Sequence, residues 1–165
     1  MAEIASGAAD SSSAVLETTV GGVLRDAAER AAGTIALVEG TADRRQRRRW
    51  SYADLLADSE RVAQALLGRF APGERVAIWA PNCPEWLLME LGAALAGLTL
   101  VTVNPALRAA EVTHVLGQSR AQGAVLAPSY RGMGQPDAAL PHRGMRAAHA
   151  GAGTAPVHPG AGARF

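Results

Sequence analysis

The chain has 165 residues, enough for one domain with a buried core, and 48% of them are hydrophobic. A net charge of +1, from 16 basic and 15 acidic side chains, gives no excess that would demand a nucleic acid or a membrane surface as partner. Every basic residue is an arginine, so no lysine-dependent step can be carried by this chain.

From the amino end, MAEIASGAADSSS has neither a basic start nor an apolar run. No signal peptide is expected, and residues 1–17 read as a disordered N-terminus. Val20, Val23, Leu24, Ala27, Ala28 and Ala31 then recur on one helical face, with Thr19 placed as N-cap. Ile35–Val38 and Trp50–Tyr52 are short strands joined by the arginine-rich Arg44–Arg49, which predicts a hairpin. Ser51 and Asp54 have capping-box spacing, and Leu55, Leu56, Val62, Ala63, Leu66 and Leu67 mark the helix that follows.

Ala71-Pro72-Gly73 is a turn, and Arg75–Ala80 an apolar strand. Pro84 suits the first helical position, with Glu85 in the first turn favouring the helix dipole and Gly97 marking the end. Thr99–Val103 is a continuous β-branched and apolar run, as expected of a strand covered on both faces. Arg108–Ser119 is an amphipathic helix, and Gly123–Leu126 begins one more strand. The longest apolar stretch, Trp86 to Val103, is broken by Glu90, Gly92 and Gly97 and reads as helix, turn and strand, so no membrane span is expected. Apolar strands alternating with helices predict an α/β fold with a partial parallel sheet of βαβ units.

The pattern stops near Gly132. In residues 133–165 Gly, Ala and Pro dominate, Asp137 is the sole acid, and His142, His149 and His158 are spaced unlike metal ligands. Such a segment buries too little apolar surface to offset the entropy of ordering, so a low-complexity, disordered tail is expected. The abrupt change without a linker reads as a shifted reading frame running to an early stop.

The run RVAIWAPNCPEWLLMELGAALAGLTLVTVNPALRAAEVTHVLGQSRA (75–121) resembles the amino-terminal part of AMP-forming acyl-CoA synthetases. The features are Ala80-Pro81-Asn82, Pro84-Glu85-Trp86 opening a helix, Gly92 to Gly97, and Asn104-Pro105 after a strand. WSYADLLADSERVAQALL (50–67) and the helix at Val20–Ala31 are similar to the same family. Residues 18–132 are thereby expected to form an incomplete amino-terminal α/β subdomain. Asn104-Pro105 with Leu107 and Arg108 leans toward the fatty-acyl branch.

The resemblance implies a parent reaction in which a carboxylic acid, ATP and coenzyme A give an acyl-CoA, AMP and pyrophosphate. The family carries it out with a Ser/Thr/Gly-rich loop bearing a lysine, an aromatic-plus-acid motif for adenine and Mg²⁺, a ribose-binding aspartate and a lysine in a mobile carboxy-terminal domain. None has a counterpart here, so no catalytic, cofactor-binding or metal residue is assigned. ATP, Mg²⁺ and coenzyme A are not expected to bind this chain, which is expected to be an inactive remnant.

Residues His149–Thr154 imitate a phosphate loop but lack the lysine, the preceding strand and the following helix. Arg44–Arg49 offers the alternative of an interaction module or nucleic-acid binder, although a solvated hairpin loop explains it better. Trp86 reads as a packed aromatic, and Cys83 as a small residue at a helix start. A single cysteine also fits a reducing, cytoplasmic setting. Open sheet edges predict self-association.

Overall fold

The structure is a computed structural model. It describes residues 16–127 and, by backbone pairing alone, three short strands at 129–130, 133–134 and 146–149. The expectations for residues 1–15 and for most of 133–165 lie outside the described residues.

Helix α1 (Val20–Ala31) begins where Thr19 Oγ1 accepts the Gly22 N–H at 3.0 Å, supplying one of the partners that a helix start lacks. Strands β1 (Ile35–Val38) and β2 (Arg49–Ser51) form an antiparallel hairpin with an irregularity between Ile35 and Leu37. Helix α2 (Tyr52–Leu67) opens on a reciprocal capping box. In it Ser51 Oγ accepts the Asp54 N–H at 3.2 Å, and the Asp54 carboxylate accepts the Ser51 N–H at 3.1 Å. Tyr52, expected to close the second strand, is therefore the first residue of α2.

The remaining elements in order are β3 (Arg75–Trp79), α3 (Pro84–Leu95), β4 (Thr99–Val103), α4 (Ala109–Ser119) and β5 (Gly123–Leu126). They are followed by β6 (Ser129–Tyr130), β7 (Met133–Gly134) and β8 (Arg146–His149). Pro84 is at the start of α3, where its missing N–H costs no helical hydrogen bond. Gly97 follows the α3 cap at φ 69°, a left-handed conformation that a side chain would strain, and turns the chain into β4.

The main sheet runs β4–β3–β5–β8, and every neighbouring pair is parallel. Placing β3 between its successors β4 and β5 puts the two crossover helices on opposite faces. Val76, Ile78 and Ala80 pack with Met89, Ala93 and Ala96 on the α3 side, together with Ala63 and Leu66 of α2. Ala77 and Trp79 pack with Val112 and Leu116 on the α4 side. A third cluster, around Leu24, Trp50, Leu55 and Leu88, joins α1 and the hairpin to α2 and α3.

This topology corrects one expectation. β4 is not the strand covered on both faces: Thr99 and Thr102 are exposed, and Leu100 and Val101 are only partly covered. The fully covered strand is β3, buried from Val76 through Trp79. β4 is a terminal strand of the sheet, so its uninterrupted apolar character does not report two-sided burial.

Of the segment expected to be a tail, β7 pairs with β6 just before it and β8 pairs with β5, in the register Gly123↔Arg146 to Leu126↔His149. Small residues, Ala147 and Ala148, stand opposite Ala124 and Val125. Among the described residues, no helix is long and apolar enough to cross a membrane.

Candidate functional site

In an open parallel sheet, ligands are received beyond the carboxyl ends of the strands. Among the described residues, a concavity lies there. Ala80, Pro81 and Asn82 leave β3, Thr102 to Pro105 leave β4, and Trp86 enters from the first turn of α3, enclosing about 510 Å³. The wall is built locally. Trp79 Nε1 donates to the Asn104 carbonyl oxygen at 3.1 Å, and Asn104 Oδ1 accepts the Ala106 N–H at 2.9 Å. The turn after β4 is thereby fixed against β3.

The lining supplies the side-chain amides of Asn82 and Asn104, the Thr102 hydroxyl and the Trp86 ring. It contains no acid, no base and no cation. A hard divalent ion needs carboxylate or carbonyl oxygens in number, and a triphosphate needs cationic partners or a nest of amides. The site therefore does not fit Mg²⁺ or a nucleotide triphosphate held by this wall alone. Such a surface can orient a neutral or aromatic group; it cannot move a proton. Among the described residues, no group of three or more His, Cys, Asp or Glu side chains is placed to hold a metal ion.

Asn82, Thr102 and Asn104 went unremarked as lining residues in the sequence. The available signal was their position near the carboxyl end of a parallel strand or in the turn after it. Trp86 plays both parts: it packs on the α3-side core and faces the cavity.

A second groove, of about 340 Å³, lies between the hairpin and the start of α3. Leu37 to Thr41 form one wall, and Asn82, Cys83 and Pro84 the other. Beside it lies an ionic cluster centred on Arg48. The Arg48 guanidinium grips Glu39 as a fork, with Nε to Oε2 at 2.9 Å and Nη2 to Oε1 at 2.7 Å. Its Nη1 reaches Glu85 Oε1 at 2.5 Å, and its Cζ stands 5.2 Å from the centroid of the Trp50 ring.

The hydrogen bond to Arg48 holds the Glu39 carboxyl below its usual range, and that to Glu39 raises the already high value of Arg48. Glu39 thus contributes stability above its unfolded-state value, and that contribution is lost as pH falls through its lowered one. Burial pushes the Cys83 thiol up, and the Glu85 charge adds to the effect.

The arginine run is consequently not a uniformly solvated loop. Arg48 is largely buried in its ion cluster, and Arg47 Nε donates to the Thr41 carbonyl at 2.8 Å. Arg44, Arg45 and Arg49 are exposed. Of the three late histidines, His149 falls in β8; His142 and His158 lie outside the described residues, as does the rest of the glycine-rich run after His149.

Comparison with known proteins accounts for this frame. The family described as AMP-binding enzyme matches residues 24–157, extending past Gly132 and including β8. The mitochondrial medium-chain acyl-CoA ligase ACSF2 of Macaca fascicularis is 37% identical over 103 residues, which are 62% of this chain and 16% of that protein. Its Homo sapiens counterpart is 38% identical over 99 residues, 59% of this chain and 15% of that protein.

Among solved structures, the N-terminal domain of FACL13 from Mycobacterium tuberculosis superposes with a TM-score of 0.62 at 32% identity. The match covers 67% of this chain and 27% of that one. The chain thus spans less than a fifth of the length of these curated relatives. Its sheet order, its crossover helices and the strand-end turns at Asn82 and Asn104 fall within the matched region. The chain belongs to the AMP-binding enzyme family of acyl-CoA synthetases.

Proposed function

We propose that this chain supplies amino-terminal scaffold of a fatty-acyl-CoA synthetase and performs no adenylation by itself. The observation that carries this reading is chemical. The chain contains no lysine, and the described cavity beyond β3 and β4 is lined by no charged side chain that could meet a triphosphate or a metal ion. The fatty-acyl assignment is supported by the relatives, which are named as a medium-chain acyl-CoA ligase and a fatty acyl CoA synthetase. The parent substrates would then be a fatty acid, ATP and coenzyme A. A single, half-buried cysteine supports a reducing, cytoplasmic setting.

Isothermal titration of the full chain with Mg²⁺ and ATP tests the binding half of this reading. The expected result is no saturable heat beyond dilution. Saturable binding in the micromolar range would show that the chain builds a nucleotide site and would overturn the proposal.

A further inference from the structure

The Arg48 cluster is not consumed by the scaffold role, and its placement is asymmetric. The base of the hairpin is tied to the helical core several times over. Trp50 is buried, and its Nε1 donates to the Asp58 carboxylate at 2.8 Å. The Tyr52 N–H reaches the Thr34 carbonyl at 3.0 Å, and the Ala53 N–H reaches that of Ala32 at 3.1 Å.

The tip, residues 38–48, is held differently. Val38, Gly40 and residues 42–46 are exposed, so beyond Leu37 it has no apolar anchor in the core. Its hydrogen bonds are mostly its own. Glu39 N–H donates to the Arg48 carbonyl at 2.9 Å, Thr41 Oγ1 to the Asp43 carbonyl at 3.1 Å, and Arg45 N–H to the Asp43 carboxylate at 2.9 Å. Among the described hydrogen bonds and ion pairs, Arg48 to Glu85 is the one that joins the tip to α3.

We propose that the hairpin tip is a flap latched onto the amino end of α3 by Arg48, and that releasing this latch opens the groove over Cys83. The fork to Glu39 keeps the guanidinium on the flap, while the remaining nitrogen engages Glu85 across the groove. The charged and titratable groups facing the latch are Glu39 from the hairpin and Glu85 and Cys83 from the start of α3, with Arg47 turned away to Thr41. Cys83 lies on the α3 wall, directly across from Leu37–Thr41, and is the chain's single thiol. Its modification rate therefore reports the flap without interference.

The experiment measures modification of the full-length chain by N-ethylmaleimide at one fixed, mildly alkaline pH. Arg48→Met keeps an unbranched stem and removes the latch; the thiol is expected to react about ten-fold faster, as an opening that was rare becomes common. Arg48→Lys, a cation without the fork, should fall between the two. Charge effects alone predict the opposite sign. Deleting a cation beside Glu85 leaves a more anionic neighbourhood, less thiolate and a slower reaction.

Hydrogen exchange of the β3 amides serves as the control for global unfolding. If Arg48→Met loses that protection, the polar Arg48→Gln, which also deletes the cation and so keeps the opposite-sign charge control, carries the test with an expected several-fold acceleration. A rate equal to or below that of the unaltered chain in the folded variants would overturn the latch.

Discussion

Leu116→Ala is expected to lower the stability of the fold by roughly 2–5 kcal/mol, as Leu-to-Ala changes in packed cores do. Leu116 is 2% exposed and belongs to the cluster in which α4 covers Ala77 and Trp79 of β3 and Ala124 and Leu126 of β5. Two of those partners are alanines, which have no side chain that could swing into the space left behind. The cavity should therefore persist, placing the loss above the transfer free energy of the deleted methyl groups.

A domain is typically stable by about 5–15 kcal/mol, so this single change would consume a large share of it. The check is urea denaturation of Leu116→Ala beside Leu116→Met, which conserves volume and should cost less than about 1.5 kcal/mol. Equal midpoints for the two variants would mean that α4 does not close this face of the sheet.

Gly92→Val is expected to have the second large effect, by the opposite route. A Cβ at Gly92 would stand 2.6 Å from Val62 Cγ1, 2.8 Å from Val62 Cβ and 3.1 Å from the Ser59 carbonyl oxygen. The glycine is there because α2 and α3 touch at this point, its helical conformation needing no such residue. Even alanine is too large without movement, costing roughly 1–3 kcal/mol against a helix-propensity gain of about 1 kcal/mol. Valine adds branching at the same contact, and the expected loss is about 3 kcal/mol.

Because the nearest atoms belong to Val62, shortening that side chain should relieve part of the clash. The double variant Gly92→Ala/Val62→Ala is expected to be more stable than the sum of its single changes implies. Strict additivity in denaturant midpoints would place the strain elsewhere.

Legibility in the sequence followed the range of the interactions. Helix starts are decided within a turn of chain, and Thr19, the Ser51–Asp54 box and Pro84 all sit where their residue types indicated. β3, β4 and β5 were legible as strands because apolar runs bounded by turns and helices have one economical arrangement, a parallel sheet. What escaped was information that exists only between elements. That β4 ends the sheet and β3 is central depends on which strands pair, and a run such as TLVTV reads alike in either place.

Arg48 looked like its arginine neighbours because one of its carboxylate partners is nine residues away and the other thirty-seven. The cavity beyond β3 and β4 was hidden for a similar reason. Asn82 and Asn104 are separated along the chain and meet at one sheet end because β3 and β4 run in register, Trp79 beside Val103. The expectation of no active-site residue, by contrast, rests on composition: a chain without lysine lacks the triphosphate and carboxy-terminal lysines that the resemblance implies for the family.

The most direct test of a scaffold without its own chemistry is carboxylate-dependent exchange of labelled pyrophosphate into ATP. The full chain would be assayed with Mg²⁺, ATP and medium- and long-chain fatty acids. The account predicts no incorporation above the protein-free blank with any acid. Incorporation that requires both the chain and the fatty acid would contradict it, because the residues described here would then be forming an acyl-adenylate.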